Sequence, residues 1–400
     1  MSRPRNEFRR KIDSTQVLEV LLTLLLRWMS WKLDQTRITR ERLLQVLAYA
    51  SVHQTSIDVA CRELGGAPSA NRVREVLHSA LPVRPLVQRE VNSILRAQVP
   101  KHLFKRKRDY CIAIDITLIP YHGRISRDDP EVVRAHAKQG TNPFHGYATV
   151  SIVHDKHRYV LALRFVQPHE SMSDIVRDLL DRVERLNIAI RRVYLDKEFY
   201  AVNVFRTLDR RGLAYIVAVP MKTSRKRKNG RKRQPTALEA LCRGRKGYST
   251  CYTLHPRGGQ HYTVQLTLVK RNRRPGQKKV VRWFLYAVAG LPPKTIPHGV
   301  FELYRYRLGI ETSYRQLHQV RARTSSQSAT LRLLFVGLAL ILINLYLTLR
   351  QALQTCSPTG ERCPRGSLSL RRLGWLLGRA IESLFGPTAL ILKRPVEGFS

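Results

Sequence analysis

Acidic residues are the scarce class in this chain. Asp and Glu number 29 against 71 Lys and Arg, a formal charge of +42 over 400 residues with a pI near 11.0. Self-repulsion on that scale is best tolerated beside a polyanion, so the composition points to nucleic acid as partner. An anionic membrane surface or ribosomal RNA has the same charge sense. Cysteine is also sparse: the six, Cys61, Cys111, Cys242, Cys251, Cys356 and Cys363, include no Cys-x-x-Cys pair. That argues against a zinc ribbon and for reduced cytosolic thiols. Long apolar runs are almost missing. Leu333 to Leu349 is uncharged for 17 residues, which is the short limit for a membrane span. It contains Asn344 and has no second span beside it, so a central helix of a soluble domain is expected. The basic stretch from Arg3 to Lys11 and the apolar one from Val20 to Leu26 imitate a secretory leader. Arg27 ends that run early and no small-residue cleavage site follows, so it reads as a buried helix. No internal repeat is found.

The 43% hydrophobic content nevertheless supports a real core and, at this length, about two to three domains. Residues 1–104 read as a helical region, with helices over Leu18 to Leu33, Thr39 to Tyr49, Ser56 to Leu64 and Ser69 to Leu81. The last two flank Gly65-Gly66-Ala67-Pro68, a helix-turn-helix pattern in which Ser69 caps the second helix and Arg72 and Arg74 offer cations to a DNA groove. An ordinary helical pair has the same pattern. Pro82, Pro85 and Pro100 punctuate the exit, and Lys101 to Arg108 is a basic linker.

Strand periodicity starts at Tyr110. Tyr110 to Pro120, His145 to His154 and Tyr159 to Phe165 read as a three-stranded meander. A helix over Asp174 to Leu186, a strand over Ile188 to Leu195, a helix over Val202 to Asp209 and a strand over Ala214 to Val219 follow. That order is the order of the ribonuclease-H-like fold, an α/β core with a mixed sheet covered on both faces. The core's first part is assigned to 105–220. Residues 221–295 read as a β-strand insertion, with a basic loop at Ser224 to Arg233 and strands over Tyr248 to Leu254, His261 to Val269 and Val280 to Ala289. Residues 296–350 complete the core through helices over Phe301 to Val320 and Leu331 to Arg350, and 351–400 form a helical tail around Leu370 to Leu384.

Asp115 and Asp196 each end an apolar run where a sheet opens onto its crevice. Alone, either reads as a turn or cap residue. In the expected topology their strands are neighbours, so the two carboxylates lie side by side. Glu311 adds a third acid. Tyr304, Arg307, Glu311 and His318, offset by 3, 7 and 14 residues from the first, share one helical stripe, whereas Leu303, Tyr306, Ile310, Leu317 and Val320 form a separate apolar one. The polar stripe is thereby free to face a ligand.

The spacing Tyr304-x-x-Arg307-x-x-x-Glu311-x6-His318 resembles the Tyr-Arg-Glu-Lys signature of prokaryotic insertion-sequence transposases of the Asp-Asp-Glu type, the group with a β-strand insertion before the Glu. Asp196-Lys-Glu-Phe-Tyr200 is similar to the family's Asp-Arg-Gly-Phe-Tyr, with Lys197 and Glu198 departing from it, and His318 stands at the Lys position. The resemblance covers Tyr110 to Arg350. It implies Asp115, Asp196 and Glu311 as catalytic metal ligands, and Tyr304, Arg307 and His318 as contacts to double-stranded DNA near the cleaved end. An unperturbed His, with pKa about 6.5, is mostly neutral at pH 7, so His318 is expected to reach phosphate by a hydrogen bond.

It further implies two Mg²⁺ ions, or Mn²⁺ in their place, that activate the attacking oxygen and stabilise the leaving one during end cleavage and transfer of the 3′-OH into target DNA. A homodimeric synaptic complex on terminal inverted repeats, a cytoplasmic, nucleoid-associated location and no membrane partner complete the expectation. A ribonuclease-H-like nuclease or resolvase that cuts without joining, and a catalytically silent DNA-binding descendant, are the alternatives. Lesser candidates are His169-Glu170, which also fits helix capping; His154 and His157, which fit a surface turn; and Trp283, a stacking platform or an ordinary strand Trp.

Overall fold

A computed structural model describes residues 13–33, 37–104, 109–125, 129–153, 158–221, 236–244, 246–255, 259–271, 282–292, 294–355 and 368–386. The side chains of 102, 308–313, 354 and 355 lie outside that description, as do the basic segments 105–108, 225–233 and 272–274 and both His154 and His157. The chain divides into two compact units, one made of 1–100, 123–125 and 313–400, the other of 101–122 and 126–312.

The first unit is helical. It opens with α1 (Ser14–Trp28), α2 (Arg40–Val52), α3 (Ile57–Glu63), α4 (Ala70–Ala80) and α5 (Arg84–Gln98). Ser69 caps α4 as expected, its hydroxyl accepting the Arg72 N–H at 3.3 Å. The helix α5 departs from the reading of Pro82 and Pro85 as breakers. Pro85 sits in its first turn, where a missing N–H costs nothing and a fixed φ helps. Its buried Val87, Val91, Ile94 and Leu95 follow helical spacing.

The second unit is built on one mixed sheet of nine strands. These are β1 (Tyr110–Pro120), β2 (Val133–Lys138), β3 (Thr141–Ile152), β4 (Val160–Val166), β5 (Ile190–Leu195), β6 (Tyr215–Ala218), β7 (Tyr248–Leu254), β8 (Tyr262–Arg271) and β9 (Arg282–Ala289). The order runs β3-β1-β5-β6-β9-β8-β7, with β2 and β4 both on β3. Strands β1, β5 and β6 are parallel and every other pairing is antiparallel. β1 is apolar almost throughout and its first six residues are buried, as a strand covered on both faces requires.

Helix α6 (Met172–Arg185) lays Ile175, Val176, Leu179, Leu180 and Val183 into the core beside β3 and β4, and α7 (Val202–Arg210) packs against it. A short α8 (Ala237–Leu241) precedes the inserted strands. Those strands do not form a separate subdomain. β9 pairs with β6 from Tyr215↔Ala289 to Ala218↔Tyr286, so the insertion continues the sheet and covers what would be a bare edge.

The single helix expected over Phe301 to Val320 is two: α9 (Pro297–Arg305) and α10 (Leu308–Gln319). At the break, the Tyr306 and Arg307 N–H groups bond back three residues, to the Leu303 and Tyr304 carbonyls. α10 carries the chain into the helical unit, which α11 (Ala329–Thr355) and α12 (Leu370–Phe385) complete. α11 packs on α5 and α2 rather than on the sheet, so the boundary falls near residue 312 instead of 350. By length and composition α11 is apolar enough to cross a membrane, yet 83% of that apolar window is buried inside the protein.

Candidate active site

Parallel pairing of β1 with β5 ends at Ile114↔Leu195, and the next residue on each chain is an aspartate. Asp115 does not end its strand. β1 continues to Pro120 with β3 as its neighbour, and Asp115 stands where it outruns β5 and the crevice opens. Asp196 follows the end of β5 and caps a short turn over Lys197–Phe199. Each aspartate spends one oxygen on local backbone. The Asp115 Oδ1 accepts the Ile116 N–H at 2.9 Å, and the Asp196 Oδ1 accepts the Lys197 N–H at 2.6 Å.

The second oxygens converge on one point. Arg307 Nη2 lies 3.1 Å from Asp115 Oδ2 and 3.1 Å from Asp196 Oδ2. Arg307 is 4% exposed and Asp115 7%. The guanidinium is therefore a buried cation whose place is set by two anions. Burial pushes the Asp115 carboxyl up to about 6; Arg307 opposes that shift, and the charges of Asp196 and Glu198 add to it.

The site corrects the expected orientation of the Tyr-Arg-Glu-His stripe. Tyr304 is 9% exposed and Tyr306 47%, the reverse of the sequence assignment. Tyr304 and Arg307, three residues apart, share the face that turns in to the two carboxylates, and Tyr306 lies on the opposite one. The Tyr304 hydroxyl donates to the Leu195 carbonyl at 3.1 Å, and the Arg307 guanidinium lies 5.8 Å from the centre of its ring. Arg307 therefore meets both acids, and Tyr304 the carbonyl of the residue before Asp196. Tyr304→Phe keeps the ring and leaves that carbonyl without its donor, so a loss of about 1 kcal/mol in urea unfolding is expected.

Glu311 lies in α10, and its side chain is outside the described residues. His318 is in the same helix, exposed, within the helical unit. Partial burial of its ring and the charge of Arg321 hold its imidazole below the usual value. Arg72 and Arg74 are exposed on α4, bonded to Glu75 at 3.0 Å and Asn71 at 2.5 Å.

Glu170 is structural. It takes a forked bond from Arg164 at 2.6 and 3.1 Å and accepts the Gln167 N–H. Trp283 is half-buried in β9, with the Lys270 ammonium 5.7 Å from its ring centre. Sequence reasoning did not give weight to Glu198, whose charge bears on Asp115. Its signal was its own departure from the resembled motif.

Among the described residues no group of three or more His, Cys, Asp or Glu gathers as a metal cage. The two aspartate oxygens nonetheless fit a hard divalent cation, since they already converge on a positive group.

The family profile described as "Transposase DDE domain" matches residues 106–347. A search of curated proteins finds no match. Among solved structures, the chain is similar to the piggyBac transposase in the cryo-EM structure of its synaptic complex with hairpin DNA. The TM-score is 0.54 at 15% identity, over 94% of this chain and 81% of that one. That likeness is one of fold; the profile match spans more than half of the sequence and includes both aspartates and Glu311. The chain belongs to the transposase DDE domain family and is a DNA transposase.

Proposed function

We propose that this transposase cuts at the ends of a prokaryotic insertion sequence and joins the released 3′-OH to target DNA, with Asp115, Asp196 and Glu311 as its catalytic carboxylates. The reading rests on one observation: a single buried nitrogen, Arg307 Nη2, sits 3.1 Å from an oxygen of each aspartate. Carboxylates focused in this way are built to hold positive charge. The strand order, with β1, β5 and β6 parallel, supports reading the sheet as a ribonuclease-H-like core, whose central strands would carry such acids.

Bound divalent cations, two Mg²⁺ or Mn²⁺, supply activation of the attacking oxygen and neutralisation of the leaving one. The chain's own residues do the rest. Asp115 and Asp196 present Oδ2 while their Oδ1 atoms stay tied to backbone N–H groups, which fixes both carboxylates before substrate arrives. Glu311, carried by α10, is proposed as the third carboxylate. Tyr304 anchors the end of β5, and Arg307 neutralises the acids while no metal is bound. His318, Arg72 and Arg74 are proposed to reach DNA phosphates, with a homodimer on paired inverted-repeat ends in the cytoplasm as the working assembly.

Incubation with a duplex carrying the element's terminal repeat, plus a target plasmid, tests this. Mg²⁺-dependent cutting followed by covalent joining of the 3′-OH is expected. Cutting with no joined product would make the protein a nuclease, and binding with no cutting a silent descendant.

The Asp115 shift adds a pH prediction. Its folded pKa is raised to about 6, so the proton that competes with a cation is bound below that value and gone above it. Stabilisation by Mn²⁺, read as a rise in Tm, is expected at about pH 7.5 and largely lost at about pH 5. An equal rise at both would contradict the ligand role of Asp115.

A further inference from the structure

The helical unit contains a cavity of about 590 Å³ between α3, the α4–α5 connection and the segment that leads into α11. That size lies within the roughly 300 to 1,000 Å³ of small-molecule sites. One side is apolar, formed by Leu77, Leu81 and Leu331. The lining also includes Arg74 and Arg323 and hydroxyl residues between Thr324 and Thr330. Among the described residues Asp58 is the one acid in the lining, and it is paired with Arg62.

The polar wall is ordered by its own backbone. The Arg323 N–H donates to the Thr55 carbonyl at 2.9 Å, and Arg332 Nε donates to the Ser326 carbonyl at 2.7 Å. Among the described residues no partner is found for the Arg323 guanidinium. Ser328 caps α11, accepting the Leu331 N–H at 3.2 Å, so the positive end of a 27-residue helix opens on the same wall.

A lining that combines apolar surface with guanidinium and hydroxyl groups matches a ligand with a flat, weakly polar ring at one end and a phosphate at the other. We propose that this cavity binds a deoxynucleotide, with its phosphate at Arg323 and Arg74 and its base against Leu77, Leu81 and Leu331. The shared chemistry has two sources: a free nucleotide, or a nucleotide unstacked from a DNA strand held by the same unit. Nothing in this depends on the catalytic acids, so Asp115→Asn should bind the nucleotide as wild type does.

The test uses the full chain at about 0.5 M salt, where bulk phosphate attraction from so basic a protein is screened. One arm follows fluorescence anisotropy of mant-labelled dAMP, with inorganic pyrophosphate and deoxyadenosine as competitors. The other compares a duplex carrying one looped-out 2-aminopurine with its fully paired counterpart. Arg323→Ala, at an exposed position, should weaken mant-dAMP binding about tenfold. Leu81→Trp, which fills the floor, should weaken it as much without reducing charge. If both variants also remove a preference for the looped-out duplex, the nucleotide is DNA-borne. If they affect only the free nucleotide, the site holds and its ligand is free. Binding of dAMP that pyrophosphate displaces as well as dAMP itself, or that Arg323→Ala leaves unchanged, overturns the proposal.

Discussion

Asp115→Asn is expected to lower end cleavage by about a thousandfold or more while DNA binding stays at the wild-type level. Asn keeps the shape of the side chain and an oxygen for the Ile116 N–H, so β1 and its pairing with β3 and β5 are retained. It removes the charge from the oxygen that meets Arg307 at 3.1 Å. Metal-centred stabilisation of a phosphoryl transition state is worth several kcal/mol, and each 1.36 kcal/mol is a factor of ten in rate. Losing one negative charge from a chain of +42 does not weaken its attraction for DNA. Gel-shift and cleavage assays on the same preparation separate the two quantities. Cleavage within a few fold of wild type would remove Asp115 from the site, and a parallel fall in DNA binding would make the loss structural.

Arg307→Met should destabilise the metal-free protein by about 3 kcal/mol, because the buried Asp115 carboxylate is left beside the part-exposed Asp196 without their shared cation. Met approximates the volume of the lost side chain, so the loss is one of charge. The sign of the pH dependence follows from Asp115. Arg307 lowers its pKa, which burial has raised to about 6; without Arg307 it rises further and the carboxyl takes up a proton. The stability deficit is therefore largest at about pH 7.5 and smaller at about pH 5, where wild-type Asp115 is protonated as well. Mn²⁺ should restore much of the loss at the higher pH, as a divalent ion enters the place the guanidinium held. Urea unfolding of wild type and variant, with and without Mn²⁺, measures all of this. An unchanged midpoint in metal-free buffer would show that the pairing contributes nothing to stability.

Much of the sheet was legible because its strands obey simple periodicities. Tyr110 to Pro120 was read with the bounds it has, and the adjacency of the Asp115 and Asp196 strands followed from the expected order. What escaped was decided by tertiary contact. Pro85 looked like a breaker until its place in the first turn of α5 made its missing N–H harmless. β2 has a polar, mostly exposed sequence and exists through pairing with β3. The inserted strands read correctly as strands, but nothing local says that β9 will join β6. In the helical stripe Tyr304 and Arg307 do share one face, but periodicity could not tell that this face packs against the buried Asp115 and the part-exposed Asp196 while Tyr306 is left in solvent.

The site was legible as residue types and less so as roles. Asp115 and Asp196 come together because their strands are parallel neighbours, although β1 runs on past Asp115. Arg307, expected at the DNA, meets both aspartates, and Tyr304 bonds the Leu195 carbonyl just before one of them. No sequence pattern separates an arginine that meets phosphate from one that meets carboxylate, since both need the same planar fork of donors. Glu198 shows the converse, a departure from the resembled motif that turns out to matter electrostatically.

Calorimetric titration of Mn²⁺ into the DNA-bound protein tests the central claim most directly, with wild type beside Asp115→Asn, Asp196→Asn and Glu311→Gln. Saturable binding by wild type is predicted, together with affinity at least about tenfold weaker in each variant. A variant of any of the three that bound Mn²⁺ as wild type does would contradict the assignment of that residue as a metal ligand.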